Sequence, residues 1–189
     1  MGSFINRLRL RANMVQENKA YILPFWHCRN TTSMQHLAAA PVGALFGVMS
    51  TTHGTELTYL KTTDYSAGSG TATCRIQFPL PAEYVAGSTV TIRIHSKMEG
   101  AANVSATVDI EARKGDREQG IGAELYAGAA ANANSGNWAS QDFALTSSGL
   151  AAGDLLDVLL TASIDDTGGV AMAGWMLIGA IEFILGVKG

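Results

Sequence analysis

From Thr71 onward, short runs alternating apolar and polar residues are separated by glycine-rich turns, and this rhythm constrains the chain more than any other feature. Cys74-Arg75-Ile76-Gln77-Phe78 alternates and is stopped by Pro79-Leu80-Pro81. After a turn at Gly87-Ser88, Val90, Ile92 and Ile94 alternate with Thr91, Arg93 and His95. Val104, Ala106, Val108 and Ile110 then face one way, and Ser105, Thr107, Asp109 and Glu111 the other. Trp138 to Leu145 and Leu156 to Leu160 read as further strands, with a turn at Gly149 to Gly153 between them. A period of two sends successive side chains to opposite faces, so each run makes a strand with one buried and one wet face. No apolar stripe with helical spacing competes with it. The pattern predicts an all-β fold, an antiparallel, jelly-roll-like β-sandwich of roughly eight strands.

Composition says how such a sandwich meets water. Only 15% of the residues are charged, against about 25% in an average protein, and Gly, Ala, Thr and Ser fill the shortfall. The surface is therefore polar by hydroxyl and amide rather than by ion, which suits a protein that hides part of itself against neighbours. A disordered chain is excluded, because 47% of the residues are hydrophobic and the net charge is only -3. Charge is also unevenly placed. Residues 1–30 hold Arg7, Arg9, Arg11, Lys19 and Arg29 against the single acid Glu17, and no basic residue lies between Arg117 and Lys188. A basic beginning on an acidic body favours electrostatic docking against a partner, or the two ends of one domain complement each other.

The first third is less regular. Arg7-Leu8-Arg9-Leu10-Arg11 alternates as a strand with a charged face would, and Pro24 interrupts the apolar patch from Tyr21 to Trp26. Residues 1–60 are expected to form an extended N-terminal arm with outer strands, and residues 61–189 the sandwich. No apolar stretch follows the early arginines as in a secretory signal, so the chain is expected to be made in a cytoplasm. The last strand, from about Val170 to Leu185, has Trp175, Leu177, Ile181, Phe183 and Leu185 on one face and Met172, Met176, Ile178 and Ile184 on the other. It carries Glu182 and three glycines, and so reads as a strand rather than a membrane helix. A strand apolar on both faces is covered on both, by the N-terminal segment or by another subunit. Trp175, Ile181 and Phe183 are the expected subunit contacts.

Catalytic chemistry is hard to find. There is no phosphate-cradling GxxxxGK[ST], no HExxH and no paired-cysteine motif. His27, His36, His53 and His95 lack the spacing of metal ligands on one element, and adjacent His27 and Cys28 point to opposite sides of an extended chain. Asp165-Asp166-Thr167-Gly168-Gly169 reads as a turn rather than an acid protease loop. Asp154, Asp157, Asp165 and Asp166 are possible oxygen ligands for Ca²⁺, and equally good turn and surface residues without a metal. No catalytic residue, cofactor or metal is assigned. Cys28 and Cys74 read as two buried thiols rather than a disulfide framework. Trp26, Trp138 and Trp175 sit in apolar contexts that read as core; exposed tryptophans would instead signal carbohydrate binding.

The stretch Phe78 to Arg93 (FPLPAEYVAGSTVTIR) resembles a pattern in proteins encoded near the capsid genes of tailed bacteriophages. So do Val104 to Asp109, Trp138 with Phe143, Leu150 to Asp154, Asp165 to Gly169 and the terminal Gly186-Val187-Lys188-Gly189. The resemblance covers residues 71–189, and it implies a head decoration (cement) protein, not an enzyme. Such a protein sits on the outside of the virion capsid and clamps neighbouring subunits of the major capsid protein. It further implies a homo-oligomer, a trimer by shell geometry, with neither nucleic acid nor membrane as partner. Arg7, Arg9 and Arg11 are then the expected capsid-docking residues. The alternative is a carbohydrate-binding or receptor-binding sandwich module of a virion fibre.

Overall fold

Residues 16–49, 57–65, 68–100, 105–115, 121–167 and 174–189 are described by a computed structural model. Eleven strands among them form two sheets. The first is ordered β2 (Gly47–Met49), β3 (Tyr59–Lys61), β11 (Trp175–Lys188), β5 (Val90–Glu99) and β9 (Ala139–Leu145), and β1 (Gln16–Ile22) also pairs with β11. The second is ordered β4 (Ser69–Pro79), β10 (Leu155–Asp165), β6 (Ser105–Gly115) and β7 (Ile121–Glu124), with β8 (Ala131–Asn132) also on β6. Every pairing of these strands is antiparallel. The long strands β4, β5, β6, β9, β10 and β11 alternate between the sheets in chain order. Each long connection thus crosses the sandwich, as in a jelly roll. The fold is an all-β antiparallel sandwich, as the alternation of the sequence requires.

Alternation also decides what lies between the sheets. Along β5, Val90, Ile92 and Ile94 point inward, while Thr91, Arg93, His95, Lys97 and Glu99 line the outer face. Along β10, Leu156, Val158, Leu160 and Ile164 point inward. The aromatic centre of the packing is Phe183 of β11 stacked on Phe78 of β4, with ring centroids 4.1 Å apart and planes at 11°. Tyr21 of β1 meets the edge of Phe78 at 6.0 Å and closes the same layer at the margin. Cys28 and Cys74 are both buried, and both are free thiols. A hydrogen bond with Cys28, together with burial, holds the Cys74 thiol well above its ordinary range.

The described part of the N-terminal third is built into this body. Seven residues of β1 pair in register with β11, from Gln16 opposite Lys188 to Ile22 opposite Glu182. Leu23, Phe25, Cys28 and Phe46 are buried in the shared core, and the boundary expected after residue 60 falls inside β3. Arg7, Arg9 and Arg11 lie outside the described residues.

One irregularity shapes everything on the outer face. Between Ile178 and Ala180 the register of β11 against β5 slips by a residue, so that Ile178 faces Ser96 while Ala180 faces His95. Gly179 is the extra residue of this bulge. Before it, Met176 and Ile178 point inward; after it, Ile181, Phe183, Leu185 and Val187 do. The two apolar faces read from the sequence are largely one inward face whose phase reverses at Gly179. Met172 lies outside the described residues. Ile181 and Phe183, expected at a subunit contact, are fully buried inside the protomer, with 0% of either exposed. Neither has surface left to offer a neighbour.

Candidate functional site

The bulge lies at the floor of a concavity on the outer face of the first sheet. Leu177, Gly179 and Ala180 of β11 form the floor. His95, Lys97 and Glu99 of β5 form one side, and Leu57, Thr58 and Tyr59 the other. Trp138, in the loop that enters β9, reaches across β5 to the bulge. A Cβ on residue 179 would stand 2.8 Å from its Cζ3 and 2.9 Å from its Cη2. Real Cβ atoms do not come that close, so the missing side chain of glycine is what lets the indole settle onto the strand. The groove encloses about 510 Å³.

Its polar rim is held in a linked set. Lys97 Nζ donates to Glu99 Oε1 at 2.8 Å, and Trp175 Nε1 donates to Glu99 Oε2 at 3.2 Å. Lys61 Nζ lies 4.3 Å from the centre of the Trp175 ring and pairs with Asp64 at 2.9 Å. The Lys97 hydrogen bond is the main reason that the Glu99 carboxyl titrates below its ordinary range. Deeper in, His95 Nε2 is buried without a hydrogen-bond partner, 3.4 Å from Glu182 Oε1. Beyond it Arg93 grips Asp142 through two hydrogen bonds of 2.7 Å, which lower the Asp142 carboxyl. The groove thus offers an aromatic face, an ammonium group, a carboxylate and an imidazole in one open trough.

Trp26 is 65% exposed and Trp138 52%, so neither is a core residue. The apolar neighbours of Trp26 misled; Phe25 beside it is buried, but the 3₁₀ turn Phe25–His27 turns Trp26 outward. For Trp138 the preceding Ser135-Gly136-Asn137 was a legible sign of a loop. Trp175 is half buried and points outward, because it precedes the phase reversal. Its indole holds Glu99, which lines the groove. Sequence reasoning gave no role to Tyr59, which nothing local marks, and saw Gly179 only as one of three glycines in the last strand, although a glycine inside a strand is a local sign of a bulge.

The aspartates considered for Ca²⁺ are separately engaged. Asp157 accepts from Arg75 Nε at 2.7 Å on β4, Asp154 pairs with Lys114 at 2.7 Å, and Asp165 Oδ1 accepts from the Thr167 backbone at 3.0 Å. Among the described residues, no three His, Cys, Asp or Glu side chains gather as a metal site would require.

Fold and groove together define a β-sandwich with an aromatic, polar-rimmed trough on the outer face of one sheet. No family model matches the chain, and no curated protein matches it. Among solved structures it is similar to the CBM22-1 xylan-binding domain of Paenibacillus barcinonensis Xyn10C, with 16% identity and a TM-score of 0.39, over 76% of this chain and 81% of that one. It is also similar to a family 30 carbohydrate-binding module of a Clostridium thermocellum cellulosomal cellulase, with 14% identity and a TM-score of 0.41, over 88% and 96%. A third likeness, to the MgGH51 α-L-arabinofuranosidase, has a TM-score of 0.37 and spans 22% of that enzyme. These are distant likenesses to the sandwich arrangement, which the strand pairing establishes independently.

Proposed function

We propose that the chain is a non-catalytic binding module that seats a sugar ring on Trp138 in the groove above Gly179. A half-exposed tryptophan fixed over a glycine, beside hydrogen-bonding groups that converge on the same trough, carries this reading. A pyranose presents C–H bonds on its faces and hydroxyls around its edge. The electron-rich face of an indole attracts the former, and His95, Lys97, Glu99 and Tyr59 can serve the latter. Sites for small ligands are of this kind, mostly apolar with a few placed polar groups. A glycan array followed by calorimetry tests it. Trp138→Ala should lower affinity at least tenfold, an effect of about 1.4 kcal/mol, with the fold intact by circular dichroism. An array without hits, or binding that survives the substitution, refutes the assignment.

A second reading, virion decoration, draws on the resemblance over residues 71–189 and on the outer face of the second sheet. There Ser163 stands between Thr71 and Thr107, and Thr161 between Thr73 and Asp109. This hydroxyl-rich end can be buried against another protein at less cost in stripped water than the rest of the face, where Arg75 pairs with Asp157 and Arg113 with Glu111. On this reading the module would form a trimer and clamp the major capsid protein. Co-sedimentation with undecorated shells separates the two: shell binding without glycan binding favours decoration.

A further inference from the structure

We infer that the ligand of this groove is amphipathic, a saccharide whose apolar aglycone, an alkyl or acyl chain, lies in a second hollow continuous with the first. The inference rests on the carbohydrate reading and adds the other half of the ligand. The second hollow encloses about 550 Å³. It lies where one edge of β11 is left open, since β3 pairs only with Leu177 and Ile178, and β1 begins its pairing at Glu182. Between them Leu23 N–H donates to the Ile181 carbonyl at 2.8 Å, and the chain then turns away through Pro24 into the 3₁₀ turn. This departure opens the space.

The two hollows share Leu57, Thr58, Gly179 and Ala180, so they are halves of one concavity. Their chemistry differs sharply. The groove carries His95, Lys97 and Glu99; the second hollow carries Ile22, Phe25, Trp26, Leu37 and Val48, with His36 its one imidazole. Ile22 is 69% exposed and Trp26 65%, so apolar surface there stands in water. A free oligosaccharide would leave that half wet. An attached hydrocarbon chain would cover it, and the hydrophobic gain would add to the sugar contacts.

The test is calorimetry on the full chain with methyl and hexyl β-D-glucopyranoside below micelle concentration, repeated with the same pair built on whichever sugar the array selects. Each methylene removed from water is worth roughly fourfold in affinity, so three seated methylenes predict a hexyl advantage on the order of 50-fold. Trp26→Ala and Ile22→Ser, both at exposed positions outside the polar groove, should erode that advantage and leave the methyl glycosides unchanged. Equal affinity for hexyl and methyl forms overturns the aglycone site while the saccharide reading stands. Equal weakening of both forms by these substitutions also overturns it. Failure of every glycoside to bind overturns both.

Discussion

Replacing Phe183 by alanine is the most direct test of where the last strand points. The side chain has no exposed surface and stacks on Phe78 at 4.1 Å, with Tyr21 against the far ring. Its removal forfeits the transfer free energy of a whole aromatic ring and leaves a cavity between two sheets that cannot collapse independently. Buried Phe→Ala changes cost about 3–5 kcal/mol. For a domain of this length each kcal/mol moves the midpoint by about 2–4 °C, so the melting temperature should fall by roughly 10 °C. Ile184, next along but half buried on the outer face, should cost only about 1 kcal/mol as alanine. Urea unfolding of both variants, with light scattering to follow mass, provides the assay. The Phe78→Ala, Phe183→Ala cycle should show a coupling of about 0.5–1.5 kcal/mol for the stacked pair. A Phe183→Ala protein that unfolds at the wild-type midpoint but loses mass in solution would refute the reasoning and place the ring between subunits.

Two further outcomes follow from the groove and the ion pairs. Gly179→Ala puts a methyl 2.8 Å from the Trp138 ring, so the indole must lift. Its fluorescence should shift and sugar affinity fall roughly tenfold, whereas an unchanged spectrum and affinity would show that the ring does not rest there. The second concerns acid. Glu99 is lowered mainly by the Lys97 hydrogen bond and Asp142 by that of Arg93, while for Asp157 burial pushes upward but the Arg75 and Gln77 hydrogen bonds prevail. Carboxyls whose folded values lie below their ordinary 4.5 and 3.8 stabilise the fold above those values and lose that contribution as pH falls through the lowered ones. Unfolding free energy should be level from about pH 5 to 8 and drop below about pH 4; Arg75→Gln should lower the plateau and flatten the drop. A drop as steep in Arg75→Gln as in the parent would sever it from this pair.

How much of this the sequence discloses depends on whether a strand is held by its side chains or by its partner. The strands β4, β5, β6, β9 and β10 announce themselves, because half of their residues must be apolar to line the interior. Nothing comparable marks β1. Its residues Gln16 to Ala20 are all exposed, and it is a strand because the free edge of β11 offers seven residues of backbone pairing. Short β2 and β3 are hidden for the same reason, and the groove depends on β3. Trp138 and Gly179 are distant in the chain, and they meet only because β5 lies between β9 and β11. The sequence reads Trp138 as a core residue of a strand; the sheet order alone says what it covers.

The bulge at Gly179 links the misread strand to the site. Had β11 kept its register, Ile181 and Phe183 would have shared a face with Trp175 and Leu177, giving the broad apolar surface that argued for a subunit contact. The extra residue turns them inward instead, and the outer face left behind carries Glu182 opposite Arg93 and 3.4 Å from His95, with Lys97 paired to Glu99. Covering that face with protein would strip water from paired charges for little return, whereas a small polar ligand can replace the water group by group. The same residue that reverses the phase is the one whose missing side chain admits Trp138. If copies of the chain associate through the hydroxyl-rich end of the second sheet, around Thr71, Ser163 and Thr107, the groove is left free to bind.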